Sequence, residues 1–216
     1  MNWIIASLLM FISSVFLYLA IRKATLLDIS TELVNLASFL IPIFLYLPMA
    51  ILNKSSLTLS PYQLFIMIIL SVIGSYLPNV ASLNSVKFAP NPGYSLVLSK
   101  SYVVFTTIAA LFVFHAALSL KSSLAILMIV GFSVLIMIGK TKLHKHSNPL
   151  WLPLSFGAFF GWGFLSLGTK YAFTIGINIY QRLIYLAIFV SIYILLEMFV
   201  RKTKLHTVRF SELVLL

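Results

Sequence analysis

The sequence predicts an all-α polytopic membrane protein with about seven transmembrane helices, and three observations support that fold class. Apolar stretches of roughly 17 to 25 residues, the length needed to cross a bilayer core of about 30 Å, follow one another along the chain. Hydrophobic residues make up 61% of the 216 residues and charged residues only 9%, against about 25% in soluble domains. The connections between the stretches are short, so neighbouring helices should be antiparallel, with no extramembranous domain.

Short polar segments separate the predicted spans and set their order. The first span is too long for the apolar region of a signal peptide and lacks a basic start, so we interpret it as a transmembrane helix. Pro42 and Pro48 fall inside the second and can kink it. The basic segment 140–149 is the longest basic hydrophilic run between spans and divides five spans from two. The predicted spans cover residues 3–21, 33–52, 62–83, 93–118, 122–139, 150–173 and 183–200.

The net charge of +11 would suggest a nucleic-acid partner in a soluble protein. In a chain this apolar, the bias of Lys and Arg toward cytoplasmic loops is the simpler cause, so we expect membrane lipid rather than nucleic acid as a partner. Loops after odd-numbered spans hold ten basic residues and loops after even-numbered spans hold four. Taken alone, this asymmetry puts the N-terminus outside a cell membrane.

Lys100 is the one charged residue placed deep in a predicted span, and polar side chains surround it. A lysine at the centre of a bilayer costs about 2.5 to 3.5 kcal/mol on insertion scales, so such residues usually face a protein interior or an aqueous path. Ser99 and Tyr102 form an adjacent stripe, and Thr107 lies on the lysine's own helical face. We therefore predict that Lys100 attracts an anionic or carboxylate-bearing solute. The alternative is that it snorkels to an interface or pairs structurally.

Two further positions join the predicted substrate site. Trp162 in the sixth span could line a cavity, although tryptophan more often packs or anchors at an interface. Asn84 in the third span is the other candidate to face the solute, and a bond to a neighbouring helix is the alternative role for its side chain.

Acidic and catalytic residues are scarce. Asp28, Glu32, Glu197 and Glu212 are the whole acidic set, and none lies at the middle of a predicted span, which disfavours export of cationic drugs. No metalloprotease, hydrolase-elbow or phosphate-loop motif occurs, so we predict no catalytic residues, no cofactor and no enzyme activity. The two histidines of the basic segment 140–149 make a poor metal site without carboxylate or cysteine ligands, and cysteine is absent.

Residues 79–140 carry the most specific pattern. The third span ends in small and polar residues, a tight turn from Pro90 to Tyr94 follows, and Leu118-Ser119 precedes a span with an internal Gly131. This pattern resembles the EamA repeat of the drug/metabolite transporter superfamily. That family commonly has glycine, glutamate and arginine where His115, Ala116 and Ala117 stand here, so no role of the acidic signature is carried over.

A second resemblance begins after the basic segment, where residues 159–170 look like the opening helix of another such repeat. At an offset of 147 residues, Lys23 falls on Lys170 and Asn35 on Arg182. The resemblance implies a first repeat over residues 1–140, a basic linker at 141–149 and the beginning of a second repeat over 150–216. It further implies a fold of five plus five helices in inverted repeats, with a substrate site near the bilayer midplane.

The resemblance implies that the protein is a secondary carrier that moves small metabolites by alternating access. It also implies that helices one, three, four and six surround the cavity. Because ten helices would need close to 300 residues at this spacing, we expect the chain to be truncated. A natural seven-span protein is the alternative. A non-transporting membrane protein, either a degenerate transporter fragment or a scaffold subunit, is the alternative function. The resemblance also implies cytoplasmic termini, which conflicts with the charge asymmetry.

Overall fold

The computed structural model describes residues 3–26, 30–115, 117–138 and 148–202, and every element within these ranges is helical. Residues 141–147 of the predicted basic linker lie outside them. So does the predicted start of a further span, which follows Lys202.

Helices occupy all seven predicted positions. Five of them, α2, α3, α4, α6 and α7, are long and apolar enough to cross a membrane, which is the architecture of an integral membrane protein. The described apolar parts of the other two, Ile4–Leu17 of α1 and Leu120–Leu135 of α5, are shorter. The helices are α1 (Trp3–Leu26), α2 (Thr31–Leu52), α3 (Pro61–Phe88), α4 (Pro92–Val113), α5 (Leu120–Ile138), α6 (Trp151–Thr174) and α7 (Ile179–Arg201).

Local sequence explains where α3 and α7 begin. Ser60 precedes Pro61, and its hydroxyl accepts a hydrogen bond from the backbone N–H of Gln63 while the Gln63 side chain accepts one from the Ser60 N–H. Asn178 and Gln181 make the same reciprocal capping box at the start of α7. Helix α7 therefore begins at Ile179, four residues before the predicted bound of Leu183, and Arg182 lies inside the helix.

Two membrane helices are irregular. The middle of α3 is a π-helical segment, Leu70–Tyr76, in which the backbone carries one extra residue per turn. Helix α4 is interrupted at Ser101, whose ψ of 2° departs from helical values. Such irregularities within membrane helices usually occur where the chain lines a cavity or a functional site.

Helices α3 and α6 form the centre of the bundle. Helix α6 packs against the C-terminal half of α3, against its π segment and against both halves of α4, whereas α7 packs against α2 and the π segment. A buried apolar core lies where α3, α6 and α7 meet and consists of Met67, Leu70, Ala172, Ile177, Leu186, Val190 and Ile194. Within the described residues, α1 contacts only α2, and α5 contacts only α4. The central helices α3, α4, α6 and α7 therefore position the interior side chains.

Contacts between loops define the two ends of the bundle. At the end that contains residues 53–60 and 175–178, which we call the Asn178 end, Asn178 Nδ2 donates to the Ser56 carbonyl at 2.9 Å and Gln181 Nε2 to the Thr58 carbonyl at 2.7 Å. The opposite end, which we call the Arg201 end, contains the start of α2, residues 89–91 and the end of α7. There the backbone N–H of Asn148 donates to the Phe88 carbonyl at 3.1 Å.

Close packing of α6 on α3 depends on Gly161. A Cβ atom at this position would lie 2.8 Å from Cβ of Pro78 and 3.3 Å from the carbonyl oxygen of Ile73. The proline ring is rigid and the carbonyl belongs to the backbone, so neither neighbour can yield by a rotamer change. Small residues at helix contacts in membranes serve this close approach.

We expect Gly161→Ala to destabilise the bundle by about 1 to 3 kcal/mol, the usual cost of overpacking a tight core. The measurement is the thermal unfolding midpoint of the purified protein in detergent. Gly131→Ala in α5 is the matched control, because no heavy atom lies within 4 Å of the Cβ it would add. Equal midpoints for the two variants would contradict the packing role.

Candidate functional site

A cavity of about 340 Å³ lies between α4, α6 and α7. One face of α6 supplies most of its wall, since Trp162, Leu165, Ser166 and Thr169 follow the spacing of three, four and seven residues that places side chains on one side of a helix. Helix α4 adds Lys100 and Tyr102, and α7 adds Arg182. The cavity runs from the middle of α6 toward the Asn178 end.

The interruption of α4 brings two predicted site residues together. In a regular helix, residues two apart do not face each other, yet Lys100 and Tyr102 both line this cavity. The non-helical backbone of Ser101 separates them and re-aims the second half of the helix, and its hydroxyl donates to the Val97 carbonyl at 2.8 Å. The break at Ser101 therefore shapes the site.

Lys100 contacts the aromatic wall of the cavity. Its Nζ lies 3.6 Å from the centroid of the Trp162 ring, and Tyr102 meets the same ring edge-on with centroids 6.1 Å apart. An ammonium over an indole face is the most favourable cation–π pair in proteins. The lysine, the tryptophan and the tyrosine of the predicted site thus form one contiguous surface.

Arg182 brings a second cation to the cavity. Its Nε donates to the hydroxyl of Thr169 at 3.1 Å, which anchors the guanidinium against α6. The hydroxyls of Tyr46 and Tyr102 lie near the guanidinium, and among the described residues its terminal nitrogens make no hydrogen bond. Sequence reasoning placed Arg182 in a loop and omitted it from the site. The Asn178 to Gln181 capping pattern is the signal that would have put it inside α7.

Three predicted site residues lie elsewhere. The side chain of Ser99 is buried, and its hydroxyl donates to the Leu96 carbonyl at 3.3 Å. Thr107 bonds the Val103 carbonyl at 2.8 Å and does not line the cavity. Asn84 lines a second cavity at the Arg201 end. The structure therefore brings together Lys100, Tyr102 and Trp162 of the predicted set and separates the other three from them.

Buried serines fix the first half of α4 relative to its neighbours. The Ser85 hydroxyl of α3 and the Ser95 hydroxyl of α4 bond each other, and Ser155 of α6 donates to Ser95 at 3.1 Å. All three are fully shielded from solvent. This junction of three helices lies about one and a half turns before Lys100 and holds the helix that carries it.

The cavity is strongly polarised. Among the described residues, its lining includes two cations, three hydroxyl groups and two aromatic rings, and no acidic side chain. An anionic group fits this set, whereas a cationic solute would meet like charge on two sides. No group of three or more metal-ligating side chains occurs among the described residues, and the histidines of the basic linker, His144 and His146, lie outside them.

The second cavity, of about 230 Å³, lies at the Arg201 end, where polar groups join α2, α3 and α7. Glu197 accepts a hydrogen bond from the Tyr76 hydroxyl at 2.6 Å and pairs with Arg201 at 2.9 Å. The same guanidinium lies 3.6 Å from Glu32 of α2. Nearby, Asn79 of α3 donates to Asn35 of α2. Arg201 therefore links α2 to α7 at the end opposite the first cavity.

Comparison with known proteins adds no assignment. No family model matches the chain, and neither the curated proteins nor the solved structures contain a match.

Proposed function

We propose that this protein is a secondary carrier in the cell membrane, which moves small carboxylate-bearing metabolites by alternating access. The observation that carries the proposal is the cavity between α4, α6 and α7, whose described lining includes Lys100 and Arg182 and no acidic side chain. Both cations belong to helices that are long and apolar enough to span a membrane.

Energetics favour a functional role for these two residues. A cation at the centre of a membrane helix costs about 2.5 to 3.5 kcal/mol on insertion scales, which applies to Lys100 near the middle of α4. Arg182 lies in the first turn of α7, nearer the end of its helix. Charged residues kept within membrane segments usually mark a solute or ion pathway. A carboxylate bound between the cations would offset part of the cost, and guanidinium and ammonium groups form strong charge-assisted hydrogen bonds with it.

The irregular helices agree with a carrier. Transporters commonly build the substrate site from discontinuous helices near the membrane midplane. Here α4 breaks at Ser101 directly beside the cavity. The π segment of α3, Leu70–Tyr76, packs against both α6 and α7.

The proposal includes the EamA-like inverted repeat. A two-fold axis in the membrane plane would pair the second helix of each repeat, and α2 packs against α7 in antiparallel orientation. At the offset of 147 residues, Asn35 corresponds to Arg182. Asn35 lines the cavity at the Arg201 end, and Arg182 lines the cavity toward the Asn178 end. Equivalent residues at opposite ends are what an inverted repeat requires.

The test is uptake of radiolabelled carboxylates into liposomes that contain the purified protein. We expect saturable uptake of at least one carboxylate that is lost in Lys100→Met, because that variant removes one of the two cavity cations. Lys170→Met is the matched control, since Lys170 stands over the Phe114 ring at 4.3 Å and does not line the cavity. If the protein neither bound carboxylates nor took them up above the level of protein-free liposomes, the proposal would be overturned. That result would favour a non-transporting membrane protein.

A further inference from the structure

The two cations of the cavity stand at different depths along α6. Lys100 lies against Trp162, and Arg182 bonds Thr169. Trp162 and Thr169 are two turns apart on the same helical face, so the two cations contact α6 at positions about 10 Å apart along its axis. Two positive charges at one cavity, with no acidic residue in its described lining, suit a solute that carries two negative charges.

The cavity volume limits the size of such a solute. The volume of about 340 Å³ lies at the lower end of the roughly 300 to 1,000 Å³ typical of small-molecule pockets. A short-chain solute with a carboxylate at each end therefore fits the cavity and its two cations.

The side chains around the cations suit such a solute. Arg182 presents its terminal nitrogens as a planar fork, which binds a carboxylate through two parallel hydrogen bonds. Lys100 presents a point charge beside the Trp162 ring. Ser166 lies on α6 between Trp162 and Thr169, so its hydroxyl faces the middle of a bound solute.

We propose that the solute is a short-chain dicarboxylate, one end bound by Arg182 and the other by Lys100. This inference rests on the proposed function, because it names the substrate class of the same cavity. It distinguishes the two cations by role. Arg182 binds any carboxylate, whereas Lys100 selects solutes that carry a second one.

Binding of succinate and butyrate tests the inference directly, because the two solutes share four carbons and differ by one carboxylate. Trp162 supplies the signal in a Trp3→Phe/Trp151→Phe background, where it is the remaining tryptophan. We expect succinate to bind about 10-fold tighter than butyrate or more, since a hydrogen bond to a charged group contributes about that factor. Lys100→Met should abolish the preference, so that succinate and butyrate bind with similar affinity.

Two further variants keep the test decisive. Lys100→Arg retains the charge and should retain the preference for succinate, which separates loss of charge from loss of folding. Lys170→Met should change neither affinity. Equal affinities for succinate and butyrate in the unmodified site would overturn the dicarboxylate assignment and leave the carrier proposal standing. If the protein took up neither of these solutes and no other carboxylate, the proposed function itself would be contradicted.

Discussion

Arg182→Gln is expected to weaken carboxylate binding by about 30-fold or more and to abolish measurable uptake. Truncating one partner of a buried, hydrogen-bonded charge pair costs about 2 kcal/mol or more of binding free energy. A loss of about 2 kcal/mol corresponds to a roughly 30-fold weaker affinity. Arg182 is anchored to Thr169 through Nε, so its terminal nitrogens already point in a fixed direction. Preorganised donors of this kind lose little entropy on binding. The measurement is the succinate affinity from Trp162 fluorescence, together with uptake.

Two matched variants separate the parts of this effect. Arg182→Lys keeps the positive charge but removes the planar fork, so its affinity should fall between those of the unmodified protein and Arg182→Gln. Thr169→Val keeps the arginine and removes the hydroxyl that holds it. We expect a smaller loss there. If Arg182→Gln bound succinate as tightly as the unmodified protein, the guanidinium would have no part in the site.

The apolar stretches were sufficient to locate the helices. A membrane span must be a long apolar helix because exposing polar backbone to hydrocarbon is costly, so its position can be predicted from the sequence. No sequence pattern predicts the irregular backbone of the third and fourth spans. The π segment Leu70–Tyr76 and the break at Ser101 depend on packing between helices.

The candidate site was predicted only in part for the same reason. A regular helix puts Thr107 on the face of Lys100 and Tyr102 on another, but the break at Ser101 gives Tyr102 the cavity position instead. Arg182 was omitted because the predicted bound of the seventh span fell one residue after it. The Asn178 and Gln181 capping pattern is present in the sequence, and it predicts that the seventh span begins at Ile179.

A crosslink between residues 32 and 201 is expected to stop uptake and leave solute binding intact. Arg201 of α7 lies 3.6 Å from Glu32 of α2, at the end of the bundle opposite the first cavity. In alternating access, a solute in that cavity leaves when helices separate at the far end. A covalent link between α2 and α7 at the Arg201 end keeps the two helices in contact and prevents this separation.

The absence of cysteine makes the crosslink specific, because Glu32→Cys/Arg201→Cys introduces the only two thiols. A short bifunctional maleimide should join them and abolish succinate uptake, whereas a monofunctional maleimide controls for modification alone. Trp162 fluorescence should still report succinate binding, since the cavity between α4, α6 and α7 does not include either position. Full uptake by the crosslinked protein would mean that α2 and α7 move as one body, and the separation required for transport would then have to lie between other helices.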